Sequence, residues 1–91
     1  MAATHNQGEE MMDYSQHHQD VIAGATMFVA CEFSGRATYR RAERKTQQAA
    51  ERAARGMIAA RPTNDIANKG RPVLVYAVRG PNQVVAATVF P

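Results

Sequence analysis

The sequence is poor in the residues that mark several classes of small protein. It has one cysteine, Cys31, and no tryptophan. A single thiol cannot form an internal disulfide, so the chain is not a secreted disulfide scaffold, and without a cysteine cluster it is not a Cys-type zinc module. We therefore expect a reducing compartment and predict a cytoplasmic location.

Targeting and membrane segments are also missing from the sequence. Residues 1–20 contain no Lys or Arg and no apolar run of signal-peptide length. Nowhere does the chain approach the roughly 20 consecutive apolar residues that a helix needs to cross a bilayer. We expect no membrane partner.

Signatures of catalysis and metal binding are weak. All three histidines, His5, His17 and His18, lie in the first 20 residues, where no acidic residue at ligand spacing completes a site. Cys31 sits in an apolar segment and is expected to be a small core residue. There is no Gly-rich phosphate loop and no serine-triad motif. The sequence thus predicts no enzyme, no metal, no cofactor and no small-molecule substrate.

Charge is divided unevenly along the chain. Residues 1–20 carry four acidic residues and no Lys or Arg, whereas residues 21–91 carry all eleven Lys and Arg against four acidic residues, a net charge of +7. We predict a flexible acidic arm at 1–20 and a single small domain at 21–91. The basic domain favours an anionic partner, and the arm could also fold back to screen it.

The segment ATMFVACEF, residues 25–33, predicts a β-strand because it is apolar and β-rich. Ser34-Gly35 then ends it. Ser34 is suited to cap a following helix. The alternative is a hairpin turn at Ser34-Gly35, with the helix starting later, near Thr38.

Residues 36–61 are predicted to form one long helix, because Pro62 excludes helical geometry just before it. Apolar and small residues recur there at alternating spacings of three and four, as on the buried stripe of an amphipathic helix. The stripe comprises Tyr39, Ala42, Thr46, Ala49, Ala53, Met57 and Ala60.

The C-terminal segment PVLVYAVRGPNQVVAATVFP predicts a β-hairpin that turns around Gly80-Pro81-Asn82. Together these elements predict an α+β fold, in which a three-stranded sheet is packed by one long basic helix in the order β-α-β-β. Both sides of each hairpin strand are apolar, and one helix covers only one face. We therefore predict a homodimer or another partner on the second face, with Val73, Val75, Val85 and Ala87 at the interface.

The basic residues of the predicted helix fall opposite its alanine stripe, and most are Arg. A guanidinium fork matches phosphate oxygens, and such contacts bind nucleic acid without sequence choice. The sequence therefore predicts a non-enzymatic nucleic-acid-binding protein. The predicted contact residues are Arg40, Arg41, Arg44, Lys45, Arg52, Arg55, Arg61, Lys69 and Arg71.

Two other interpretations of the basic residues stay open. They could form a solvated surface without a ligand, or they could face an acidic protein surface. In the latter case the chain is a stand-alone interaction module, such as a phage or mobile-element inhibitor that blocks a larger host protein. Short self-contained chains are common in that setting, although no motif here demonstrates it.

Overall fold

The structure is a computed structural model and describes residues 16–34, 37–64 and 68–91. These residues form two helices and four strands, which confirms the α+β class. In chain order they are α1 (16–23), β1 (Met27–Ser34), β2 (Ala37–Arg44), α2 (Gln47–Ala59), β3 (Val73–Arg79) and β4 (Asn82–Val89).

The four strands form one antiparallel sheet in the order β2-β1-β3-β4. Ala30 of β1 pairs with Ala42 of β2 on one side and with Val75 of β3 on the other. The central strands are therefore β1 and β3, and the edges are β2 and β4. Bulges interrupt the β1–β2 and β3–β4 ladders once each.

The prediction of three strands and one long helix is wrong. In the first third of the predicted helix 36–61, residues 37–44 form strand β2. As a helix this segment would bring like charges together at spacings of three and four, for example Arg40 and Arg44. As a strand it gives β1 a second neighbour and places Arg40 directly opposite Glu32.

The helix α2 begins after Thr46, which has extended backbone angles and accepts a hydrogen bond on Oγ1 from the Ala49 backbone N–H at 3.2 Å. This is a standard N-cap arrangement. The helix ends at Ala59, close to the end predicted from Pro62. Its 13 residues span roughly 20 Å at 1.5 Å per residue. The helix α2 is therefore about half as long as the predicted helix 36–61.

The core lies between α2 and one face of the sheet. Phe28 and Ala30 of β1, together with Val73, Val75 and Ala77 of β3, pack there against Ala50, Ala54 and Met57 of α2. Small residues on the helix allow close approach to the strands. From α1, Ile22 packs against the same cluster.

The predicted C-terminal hairpin is confirmed. Arg79 of β3 pairs with Asn82 of β4, so two residues make the turn. One of them is Gly80, whose φ of +57° lies in the left-handed region that only glycine enters at little cost.

Most of the predicted acidic arm, residues 1–15, lies outside the described residues, so its separation from the domain stays a prediction. Residues 16–23 are helical. Val21 is buried, and the Nε2 atom of His18 lies 2.6 Å from the carbonyl oxygen of Val85 on the β4 edge. The end of the predicted arm therefore contacts the sheet.

Candidate functional site

A buried carboxylate, that of Glu32, lies at the centre of the most concentrated charge cluster in the described part of the chain. Glu32 is on the core side of β1 and is only 1% exposed. Both of its oxygens accept a charged hydrogen bond. Arg40 Nε donates to Oε1 at 2.6 Å, and Arg61 Nε donates to Oε2 at 2.6 Å.

The two arginines extend this cluster to other elements. Arg40 Nη2 donates to the carbonyl oxygen of Met57 at 2.9 Å, so it satisfies one of the carbonyls left without a partner at the C-terminal end of α2. Arg61 Nη1 donates to the carbonyl oxygen of Asn68 at 2.8 Å. Glu32 thereby connects β1 to β2, to the end of α2 and to the loop before β3.

The electrostatics of this cluster are unbalanced. Burial alone would raise the pKa of Glu32, but hydrogen bonds and charge from Arg40 and Arg61 outweigh it and hold the pKa below its usual range. Two guanidinium groups share one carboxylate, so the described part of the cluster carries one net positive charge. Within that part, Arg61 Nη2 is buried and has no hydrogen-bond partner.

A surface groove of about 410 Å³ adjoins this cluster at the end of α2. Its polar lining comes from Arg61, Lys69 and Thr63, and the remaining lining residues are Ile58, Pro62 and Pro91. Two predicted nucleic-acid contacts, Arg61 and Lys69, therefore meet here. This arrangement can provide cationic and hydroxyl donors to an anion.

The remaining predicted contact residues do not form one strip. Arg41 donates to the carboxylate of Glu43, and Arg44 donates to the Glu43 backbone carbonyl. Arg40 is engaged inside the molecule. The other predicted contacts are exposed on α2 and the loops: Lys45, Arg52, Arg55, Lys69 and Arg71. The basic residues predicted to share one face of a single helix are therefore divided between two elements, because residues 37–44 form a strand.

The second sheet face carries a second candidate site. Because residues paired across the ladder share a face, Val29 of β1, Tyr76 of β3 and Val85 of β4 lie together on it. We call this surface the open sheet face. It also includes Cys31, which like Val29 is buried, and the half-buried Leu74 and Val78.

Polar residues border a depression of about 330 Å³ on the open sheet face. Its apolar and aromatic lining residues lie on the central strands β1 and β3, and its polar lining residues lie on the edge strands β2 and β4. Polar groups make up most of the exposed lining. The lining residues are Val29, Cys31, Phe33, Thr38, Arg41, Tyr76 and Gln83. Such a surface suits contact with another protein better than binding of a free polyanion, since its arginine is already paired with Glu43.

The predicted interface residues divide between the two faces. Val73 and Val75 are completely buried beneath α2, and Ala87 pairs with Val75 on the same side. Of the four, only Val85 lies on the open sheet face. On the open sheet face, β3 presents the alternate residues, such as Tyr76, because successive side chains in a strand point to opposite faces.

Burial keeps two groups on the open sheet face uncharged. It raises the pKa of the Cys31 thiol, although the charge of Arg41 opposes this. Burial also raises the pKa of the Tyr76 phenol, with a further contribution from Cys31. The Cys31 thiol and the Tyr76 phenol are therefore both neutral at neutral pH.

The chain matches no protein-family model, no curated protein and no solved structure. The site must therefore be interpreted from its own geometry. Within residues 16–34, 37–64 and 68–91, no group of three or more His, Cys, Asp and Glu is placed to hold a metal ion. No helix among them is long and apolar enough to cross a membrane.

Glu32 was missed in the sequence interpretation, although a signal for it existed. In the strand MFVACEFS it falls in phase with Phe28 and Ala30, both of which are core residues. A carboxylate at a core position requires a cationic partner. That requirement would have favoured a strand carrying Arg40 next to β1 over a helix.

Proposed function

We propose that the chain is a non-enzymatic interaction module that binds an acidic partner protein through the open sheet face, and so blocks or adapts that protein. One observation carries the proposal. Leu74, Tyr76 and Val78 form a half-buried apolar row on the central strand β3, with their side chains on the sheet face opposite α2.

The composition of this face supports a protein partner. Specific interfaces have an apolar centre rich in aromatic residues and a polar rim. The half-buried Tyr76 supplies a central aromatic group beside the half-buried Val85, and its other cross-strand neighbour, Val29, is buried. Thr38 and Gln83 supply polar groups at the border of the depression. Buried aromatic residues at such centres carry most of the binding energy.

The charge of the molecule favours an acidic partner over a second copy. The whole chain carries eleven Lys and Arg against eight Asp and Glu, a net charge of +3, and the described residues alone carry +6. Two such bodies repel each other, whereas an acidic surface is attracted and guided to the interface. The predicted homodimer is therefore the competing outcome of the test.

The test compares two variants that introduce the same charge. Leu74→Asp places a carboxylate on the open sheet face, and Gln48→Asp places one on the exposed side of α2. We expect Leu74→Asp to abolish binding of a partner captured from nuclease-treated lysate, while Gln48→Asp leaves binding intact. Hydrogen exchange of the complex should show protection in β1 and β3.

Two results would contradict this proposal. One is equal binding by Leu74→Asp and wild type, with both variants shown to be folded by circular dichroism. The other is a concentration-dependent dimer in sedimentation experiments that Leu74→Asp abolishes, since the occupant of the face would then be a second copy.

Nucleic-acid binding remains a second candidate, supported by a smaller set of residues than predicted. Lys45, Arg52 and Arg55 are exposed, and no ion pair engages them among the described residues. Arg52 and Arg55 lie three residues apart on α2, so their guanidinium groups project from neighbouring positions. This spacing allows contacts to successive phosphates without base contacts.

A fluorescent duplex tests this candidate directly. If phosphates are bound, log affinity falls linearly with log salt, and reversing Lys45, Arg52 and Arg55 to Glu abolishes binding. Leu74→Asp should leave duplex binding unchanged. Absence of binding at low salt would exclude this candidate without affecting the protein-interaction proposal.

A further inference from the structure

We propose that the groove beside Arg61 is a binding site for the phosphate group of a small ligand. It lies where the loop before β3 meets the C-terminal end of α2, and it is built by different residues from the open sheet face. Three independent observations carry this inference: a charge imbalance, an unpartnered donor and the lining of the groove.

The buried cluster lacks one negative charge. Glu32 contributes one carboxylate, whereas Arg40 and Arg61 contribute two guanidinium groups. Arg40 is 32% exposed and is partly solvated, but Arg61 is only 7% exposed. Arg61 is paired with Glu32 but shares that carboxylate with Arg40, so among the described residues the cluster holds one more positive than negative charge, and a second anion next to Arg61 would balance it.

The cluster also has an unused donor. Arg61 Nε donates to Glu32 and Nη1 donates to the Asn68 carbonyl oxygen, but Nη2 is buried and has no hydrogen-bond partner among residues 16–34, 37–64 and 68–91. Buried donors in folded proteins are nearly always satisfied, so an exception calls for an explanation. In this structure Nη2 is covered, so a bound oxygen would reach it only after a rearrangement of the groove wall.

The lining of the groove matches the chemistry of phosphate. Arg61 offers a planar fork, Lys69 a point charge and Thr63 a hydroxyl. Ile58 and Pro62 supply apolar surface for the rest of a ligand. The volume of about 410 Å³ lies within the range of roughly 300 to 1,000 Å³ typical of small-molecule sites.

An internal carboxylate is the competing occupant. Asp65 lies in the same loop, between Thr63 and Lys69, and is outside the described residues. If Asp65 supplies the missing charge, the groove holds no external phosphate. The experiment must therefore separate an external ligand from this residue.

Titration of inorganic phosphate into isotopically labelled protein tests the site. The side-chain Nε–H signals of arginine are followed by NMR, with sodium chloride at matched ionic strength as a reference. We expect a saturable shift of the Arg61 signal with phosphate and none with chloride. Because one charged contact is lost, Lys69→Gln should weaken phosphate binding about tenfold or more.

A matched control is available in the same loop. Arg71 is basic and exposed like Lys69, but it does not line the groove, so Arg71→Gln should leave phosphate binding unchanged. Asp65→Asn should bind phosphate at least as well as wild type. Leu74→Asp should also bind it, which keeps this test separate from that of the proposed function.

Three results would overturn the proposal. The first is an Arg61 signal that responds equally to phosphate and chloride. The second is saturable binding by Asp65→Asn with none by wild type, which would identify Asp65 as the natural occupant. The third is a saturable response to sodium acetate but not to phosphate, which would make the site specific for a carboxylate.

Discussion

Glu32 connects parts of the chain that are distant in sequence. Its two oxygens are held by Arg40, eight residues away, and by Arg61, 29 residues away. Arg40 in turn satisfies a carbonyl at the end of α2. Loss of the carboxylate therefore affects a strand pair, a helix end and a loop together.

Replacing Glu32 with Gln should strongly destabilise the fold. The change leaves Arg61 buried without a counter-charge, and breaking a buried pair in this way costs about 3–5 kcal/mol. Urea unfolding followed by circular dichroism measures the free energy of unfolding. As a control, Glu43→Gln removes an exposed pair with Arg41 and should cost less than about 1 kcal/mol. Equal effects of the two variants would contradict a structural role for Glu32.

The same carboxylate predicts a specific dependence of stability on pH. The folded state lowers the pKa of Glu32. The ionised carboxylate therefore contributes its full share to the free energy of unfolding above the ordinary glutamate pKa of about 4.3. That share is lost as the pH falls from there through the lowered pKa. The free energy of unfolding should therefore fall in acid. Glu32→Gln should show a shallower fall over the same window, and parallel curves for the two proteins would be inconsistent with this linkage.

At the scale of elements, α2 contains a correctable weakness. Gly56 lies in its last turns, is exposed, and has no atom within 4 Å of the position that a Cβ would occupy. Gly56→Ala should raise the free energy of unfolding by about 0.8–1 kcal/mol, because alanine has the higher helix propensity.

The matched control for this change is Gly80→Ala. It also meets no steric obstacle, but its φ of +57° strains any residue with a Cβ, so it should destabilise the protein. In thermal denaturation, the melting temperature should rise for Gly56→Ala and fall for Gly80→Ala. A decrease in stability for Gly56→Ala would show that α2 does not tolerate a methyl group at this position.

The elements also show how far the sequence could be interpreted. The apolar, β-rich composition of residues 25–33 was enough to predict β1, and the turn signal at Gly80-Pro81-Asn82 was enough to predict the β3–β4 hairpin. Residues 37–44 were assigned to a helix because their charges and alanines fit a helical period, and only the partner of Glu32 argued for a strand. Thr46, interpreted as part of a buried stripe, is the cap that begins α2. Local propensity could not decide between helix and strand for residues 37–44, because the deciding contact, between Arg40 and Glu32, is tertiary.

The candidate sites were less predictable than the elements. Basic composition pointed to Arg61 and Lys69, but it could not show that one is buried beside a carboxylate while the other is exposed. Likewise, alternation identified two apolar faces on β3 without showing which one α2 covers. Those assignments depend on strand order and register, which no single segment encodes.

For the whole molecule, the net charge of +3 should govern the rate of association with an acidic partner. Reversing Arg52 and Arg55 to Glu changes this charge to −1. At low salt the association rate should fall about tenfold or more, with a small change in dissociation. Stopped-flow measurements over a salt series check this, and rates that do not depend on salt would argue against an acidic partner.

The two edges of the sheet differ in their resistance to aggregation. The edge strand β2 carries four charged residues, whereas the eight residues of β4 carry none. Charge on an edge prevents its unpaired ladder from joining that of another molecule. At β4, the contact of His18 with the Val85 carbonyl covers part of the ladder instead. Undocking of α1 would therefore expose a neutral template for fibril growth while the rest of the fold is still intact.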